Sequence, residues 1–175
     1  MDWTIDGLTR AGFVGWVPFS AMAATTVPAG PGVYMVVRAD AQPPEFLEAS
    51  TSGWHKKRDP TVARARLEKA WVSGVPVLYI GTATSLAGRL GAYDRHGTGA
   101  NAGHSGGRFI WQLAGSRELV VIWKETPLQD PECVEGALIR DFTDNHSVRP
   151  FANRKRGKSC GGDVLGIFLA TQLRE

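Results

Sequence analysis

The sequence predicts a small α/β (α+β) domain in which a mostly antiparallel three-stranded sheet is flanked by helices. Two observations carry that prediction. Three short apolar runs, Val33 to Arg38, Val77 to Ile80 and Glu118 to Trp123, have the length and β-branched content of buried strands. The second and third leave room for only a short crossover, so antiparallel pairing is expected to dominate.

The elements follow in order. Residues 1–30 hold Phe13, Trp16, Val17 and Phe19 in a partly helical lead-in that ends at Pro28-Ala29-Gly30-Pro31. The first strand follows. Asp59-Pro60 then offers an N-cap and a first-turn proline for a helix through about Val72, which Gly74 stops. After the second strand, a helix from Thr84 to Arg95 stacks Leu86, Leu90 and Tyr93 on one face. A Gly-rich loop, Gly97 to Gly107, leads to the apolar segment Phe109 to Leu113. The third strand precedes a helix that Asp130-Pro131 caps and that runs to about Thr143. The closing apolar run, Val164 to Leu169, is expected to pack back as a strand or helix.

Length and composition bound the function. The 175 residues fit one domain, 1–175, with 43% hydrophobic and 21% charged side chains. No apolar run reaches the roughly 18–20 residues of a membrane span, and Met1 to Arg10 has no continuous apolar stretch of the kind a signal peptide needs. Cys133 and Cys160 are too few for a disulfide scaffold or a thiolate metal site, so reduced thiols and a cytoplasmic location are the expectation. The net charge of +3 leans only slightly towards anionic partners, and its distribution says more. Arg149, Arg154, Lys155, Arg156 and Lys158 form a run with no acid among them. A second group, Lys56, Lys57 and Arg58 with Arg64, Arg66 and Lys69, is diluted by Asp59 and Glu68.

Most familiar enzyme motifs are missing. There is no phosphate loop ending in Lys-Ser/Thr, no dinucleotide fingerprint, no His-Glu-x-x-His and no nucleophile elbow. Glu135 is the most informative single residue. With Val134 at 0°, Phe142 falls at about 80°, Glu135 at about 100° and Ile139 at about 140° on a helical wheel. A carboxylate set between two large apolar side chains calls for an arginine, a metal or a hydrogen-bond network opposite. Asp141 falls in the same arc. Arg89 sits about 60° from Leu86, at the border of its helix's apolar face.

Gly32-Val33-Tyr34, Leu78-Tyr79-Ile80-Gly81, Gly88-Arg89-Leu90, Glu135-Gly-Ala-Leu-Ile and Pro150-Phe151-Ala152-Asn153 occur in that order. The set resembles the GIY-YIG nuclease superfamily over residues 30–155. The resemblance implies a GIY-YIG-like catalytic core with an insertion over 39–75 and a C-terminal extension over 156–175. It assigns Tyr34 and Tyr79 as paired catalytic tyrosines, Arg89 as the helix arginine, Glu135 as the metal-binding glutamate and Asn153 as the C-terminal asparagine. Tyr93 takes a position that holds His or Tyr in the family. His104 resembles a histidine that some members place after the arginine helix. Val33 stands where Ile is usual, and 44 residues separate Tyr34 from Tyr79 where the compact pattern has a short hairpin loop.

What the resemblance implies is a metal-dependent endonuclease hydrolysing phosphodiester bonds in DNA, with RNA or single-stranded DNA as the alternative substrates. One carboxylate, Glu135, suits a single Mg²⁺ or Mn²⁺ ion, which keeps several waters. Arg89 would grip phosphate oxygens. Tyr34 is the first candidate for the base, with Tyr93 and His104 as alternatives. Lys56, Lys57, Arg58, Arg149, Arg154, Lys155, Arg156 and Lys158 are the candidate nucleic-acid contacts, and a homodimer or protein partner is the alternative source of specificity. The competing readings are a non-catalytic nucleic-acid-binding module of the same fold, a subunit active only with a partner, and an unrelated structural protein.

Overall fold

The computed structural model describes residues 1–40, 42–54, 57–101 and 107–171. Its centre is β2 (Gly32–Val37), in which all six residues are buried. The strand is buried on both faces because the pleat sends Tyr34 and Val36 into one apolar cluster and Val33, Met35 and Val37 into another. On one side β2 pairs with β3 (Val77–Ala83), on the other with β4 (Val120–Glu125), and β4 pairs in turn with β1 (Val14–Pro18). All three pairings are antiparallel, and the order is β1-β4-β2-β3.

The sheet therefore has four strands, where the sequence predicts three. The missing strand is β1, expected as part of a helical lead-in. The α-helical part there is α1 (Ile5–Arg10), started by the Thr4 hydroxyl accepting from the Gly7 N–H, and Phe19–Ala24 forms a 3₁₀ turn. The alternation of β1 is disguised because Gly15 and Trp16 both take positive φ, 101° and 54°, and the pairing with β4 slips between Val14 and Val17.

Helices cover both faces. On the Tyr34 face lie α3 (Leu86–Gly97) and the 3₁₀ turns Phe19–Ala24 and Arg108–Gln112. The other face carries α1, α4 (Pro131–His146) and α5 (Val164–Ala170). Asp130 caps α4 as its sequence requires, accepting from the Glu132 N–H at 2.9 Å. The terminal apolar run is the helix α5, whose Phe168 is buried against Phe13. Asp141, which shares the arc of Glu135, instead accepts from the chain's terminal amine at 2.8 Å and from Trp3 Nε1 at 2.9 Å.

Two further expectations need correction. The helix of the inserted segment, α2 (Arg64–Ala70), does not start at Asp59-Pro60. Asp59 closes a local turn onto the Thr61 N–H, and the buried side chain of Gln112 bonds both the N–H and the C=O of Val62. Those bonds hold the backbone extended until Arg64. The two cysteines are also not separate thiols: Cys133 and Cys160 form a disulfide. Two cysteines cannot build a scaffold, but they can staple the tail to the first turn of α4, where Arg140 also donates to the Lys158 carbonyl and Lys158 pairs with Asp130. Among the described residues, no helix is long and apolar enough to cross a membrane.

Candidate active site

Strand register builds the site first. A bulge in the β2–β3 ladder leaves Leu78 unpaired, so that Leu78 and Tyr79 both enter the Tyr34-side cluster. Tyr34 stands opposite Gly81, and its ring and hydroxyl fill the space that a Cβ at Gly81 would need. Glycine is what lets the Tyr34 ring cross the outer strand. Helix α3, capped by the Ser85 hydroxyl, presents Tyr93 inward and Arg89 one turn before it.

Three tyrosines consequently meet. The rings of Tyr34 and Tyr79 lie 6.0 Å apart, those of Tyr34 and Tyr93 6.2 Å, and those of Tyr79 and Tyr93 6.0 Å. The Tyr93 hydroxyl donates to the Gly107 carbonyl at 3.0 Å. Gly107 accepts so close a phenol because it is left-handed, at φ 67°, and has no Cβ to strike that hydroxyl.

Charge distinguishes the three. Burial pushes the Tyr79 and Tyr93 phenols well above their ordinary range. Burial raises Tyr34 too, but Arg89 counters with its charge and a donated hydrogen bond, and the Tyr79 hydroxyl donates as well. Tyr34 is thus the phenol whose ionised form has two donors facing it. Glu135, on α4, is partly buried. Desolvation first, and the neighbouring Glu132 second, raise its carboxyl to about 7 against the pull of Arg89. Arg89 acts on this carboxyl through its charge, with no ion pair between the two within 4.0 Å.

The tyrosines are buried, and Arg89 is the member of the cluster that also lines a cleft, with Thr82, Ser85, Gly88, Asp130 and Glu132. Arg89 Nε is buried there without a hydrogen-bond partner among the described residues. The donor set fits a hard cation of the Mg²⁺ kind in one respect: the single carboxylate of Glu135 is costly to ionise until a positive charge offsets its burial. Among the described residues, no group of three or more His, Cys, Asp or Glu side chains is placed to enclose a metal.

Of the site residues read from the sequence, Tyr34, Tyr79, Arg89, Tyr93 and Glu135 come together. Asn153 lies beside them with both ends of its amide bonded to one residue: Oδ1 accepts from the Ile80 N–H at 2.9 Å and Nδ2 donates to the Ile80 carbonyl at 2.8 Å. It fixes the outer strand next to Tyr79. His104 and Lys56 lie outside the described residues. Lys57 and Arg58 are exposed on the inserted segment and join none of these contacts. Arg149 and Arg156 line a cleft with Lys69, Trp71, Phe151 and Asn153, while Arg154 and Lys155 are exposed. Lys158 is taken up by ion pairs with Asp130 and Glu132, at 2.7 and 3.7 Å. Sequence reasoning passed over Arg108, although it closes the glycine run Gly103 to Gly107. It also passed over Glu132, three residues before Glu135 and hence on the same helical face.

No family model, curated protein or solved structure matches this chain.

Proposed function

We propose that the chain is a metal-dependent endonuclease that hydrolyses phosphodiester bonds in DNA through a site of the GIY-YIG type. The observation that carries this reading is the meeting of Tyr34, Tyr79 and Tyr93 from β2, β3 and α3, with the charges of Arg89 on α3 and Glu135 on α4 both bearing on Tyr34. A structural protein has no need of an arginine and a costly carboxylate beside three packed phenols.

Each residue then has a task. Arg89 binds phosphate oxygens through its fork of N–H groups and offsets the charge that builds on phosphorus. Burial keeps the Tyr34 phenol above its ordinary range; in its phenolate form, which Arg89 and Tyr79 favour as donors, Tyr34 would take a proton from the attacking water as the water oxygen bonds to phosphorus and the bond to the departing sugar oxygen breaks. Tyr79 orients the phenolate, and Tyr93 holds the Gly107 loop against the site. Glu135 would hold the cation, a Mg²⁺ or Mn²⁺ ion that supplies Lewis-acid polarisation of the phosphate and stabilises the leaving oxygen. Asn153 keeps Ile80, and with it Tyr79, in register.

The test is cleavage of supercoiled plasmid, with single-stranded DNA and RNA alongside, in Mg²⁺ or Mn²⁺ against EDTA. Metal-dependent nicking that falls by about 10³-fold in Glu135→Ala, with DNA binding retained, supports the assignment. Salt-sensitive binding without cleavage of any substrate overturns it in favour of a binding module.

A further inference from the structure

Four described arginines pair with an acid. Arg38 pairs with Asp40, Arg64 with Glu68, Arg117 with Asp94 and Arg10 with Asp2. Arg66, Arg108 and Arg154 have no carboxylate within ion-pair distance among the described residues. They nonetheless share one patch. Arg66, on α2, lies 5.7 Å over the Phe109 ring, next in sequence to Arg108. Phe109 packs at 5.6 Å on Phe151, three residues before Arg154. The charges of Arg154 and Arg66 both bear on Arg108, which burial already disfavours as a cation. Arg108 Nε is buried and has no hydrogen-bond partner among the described residues. Three segments far apart in the sequence thus bring like charges together over an aromatic floor, an arrangement that costs stability unless an anion is bound.

The patch adjoins the tyrosines. Arg108 follows Gly107, which accepts from Tyr93, and Arg154 follows Asn153, which grips Ile80 beside Tyr79. We propose that Arg66, Arg108 and Arg154 form an anchoring site for a phosphate of a nucleic-acid strand, flanking the tyrosine cluster and completed by the segment inserted between β2 and β3. Guanidinium groups suit this role because their planar donor forks match phosphate oxygens. The anchor rests on the nuclease reading for its choice of a polymer, and it gives the inserted segment a task in holding substrate.

The experiment measures binding of a fluorescein-labelled DNA duplex in EDTA by anisotropy, over a range of salt, so that no turnover is required. Wild type is compared with Arg66→Ala, Arg108→Ala and Arg154→Ala, and with Arg10→Ala as a control of equal charge change. Each patch variant should bind several-fold more weakly at low salt and lower the salt slope by about 1, while Arg10→Ala follows wild type. Arg154 is exposed, so its variant keeps the test decisive if Arg108→Ala fails to fold. Equal affinity and slope in the patch variants and wild type, or no binding by wild type, overturns the anchor. Competition by micromolar AMP that the patch variants lose also overturns it, reassigning the patch to a free phosphorylated ligand. Patch-dependent binding with no metal-dependent nicking leaves the anchor standing and removes the nuclease, so the two failures read differently.

Discussion

The Tyr34 phenol lies across Gly81, its partner in the β2–β3 ladder, and occupies the volume where any other residue would carry a Cβ. The motif glycine of the second strand is thus explained by the motif tyrosine of the first. Gly81→Ala should push the ring away from Arg89, costing about 1–3 kcal/mol of stability by overpacking. Thermal unfolding measures that cost. A nicking rate reduced by about 10²-fold or more, out of proportion to the unfolding, would show that the position of the phenol matters. An unchanged rate would detach Tyr34 from the chemistry.

Glu135 links the site to pH. Its carboxyl is raised from 4.5 to about 7, by desolvation first and Glu132 second. Between those values the native state holds a proton that the unfolded chain has released, so stability falls as pH rises through this window. Glu135→Gln, which mimics the protonated form, should therefore be more stable than wild type at pH 8 and should match it near pH 4. Allowing for solvent screening of a partly exposed group, the gain at pH 8 is on the order of 1–2 kcal/mol. Urea unfolding at the two pH values checks it; parallel curves for the two proteins would contradict the burial of this charge.

Asn153 predicts a different signature. Asn153→Ala removes both amide bonds to Ile80 and should cost about 1–3 kcal/mol. Amide exchange at Ile80 should accelerate with it. Asn153→Asp keeps the acceptor for the Ile80 N–H but sets a carboxylate against the Ile80 carbonyl, and should be at least as damaging. Loss of activity without faster exchange would point to direct contact with substrate instead.

The disulfide closes a loop with a sequence separation of 27. Chain entropy alone assigns such a cross-link about 3–4 kcal/mol. Reduction with dithiothreitol, or Cys133→Ser, should lower the midpoint of urea unfolding accordingly. Identical midpoints with and without reductant would mean that the tail is held by its ion pairs and the Arg140 bond.

What the sequence reveals about this fold depends on whether the deciding contact is local. Strands β2, β3 and β4 are short apolar runs, and α3 and α4 carry their caps and apolar faces in their own residues, so pattern suffices. Glu135 was legible for the same reason, since a wheel places it between Phe142 and Ile139. Strand β1 was not, because two positive-φ residues interrupt its alternation. The start of α2 is set by Gln112, 50 residues away, which no cap rule can see. Arg108 is ordinary as a letter. It becomes unusual only when folding brings Arg66 and Arg154 to it and no carboxylate with them.

Strand β3 ends the sheet, and its outward backbone groups at Ile80, with the Leu78 carbonyl, are already occupied. The Asn153 amide serves Ile80, and the Ala152 N–H serves the Leu78 carbonyl at 2.8 Å. Exposed strand edges recruit other chains, and a side-chain amide that imitates a neighbouring strand blocks that route. A second copy could not lengthen the sheet at Leu78–Ile80 without first evicting the segment that carries Asn153. The same clasp that steadies the site therefore also blocks strand-to-strand association at this stretch of the outer strand.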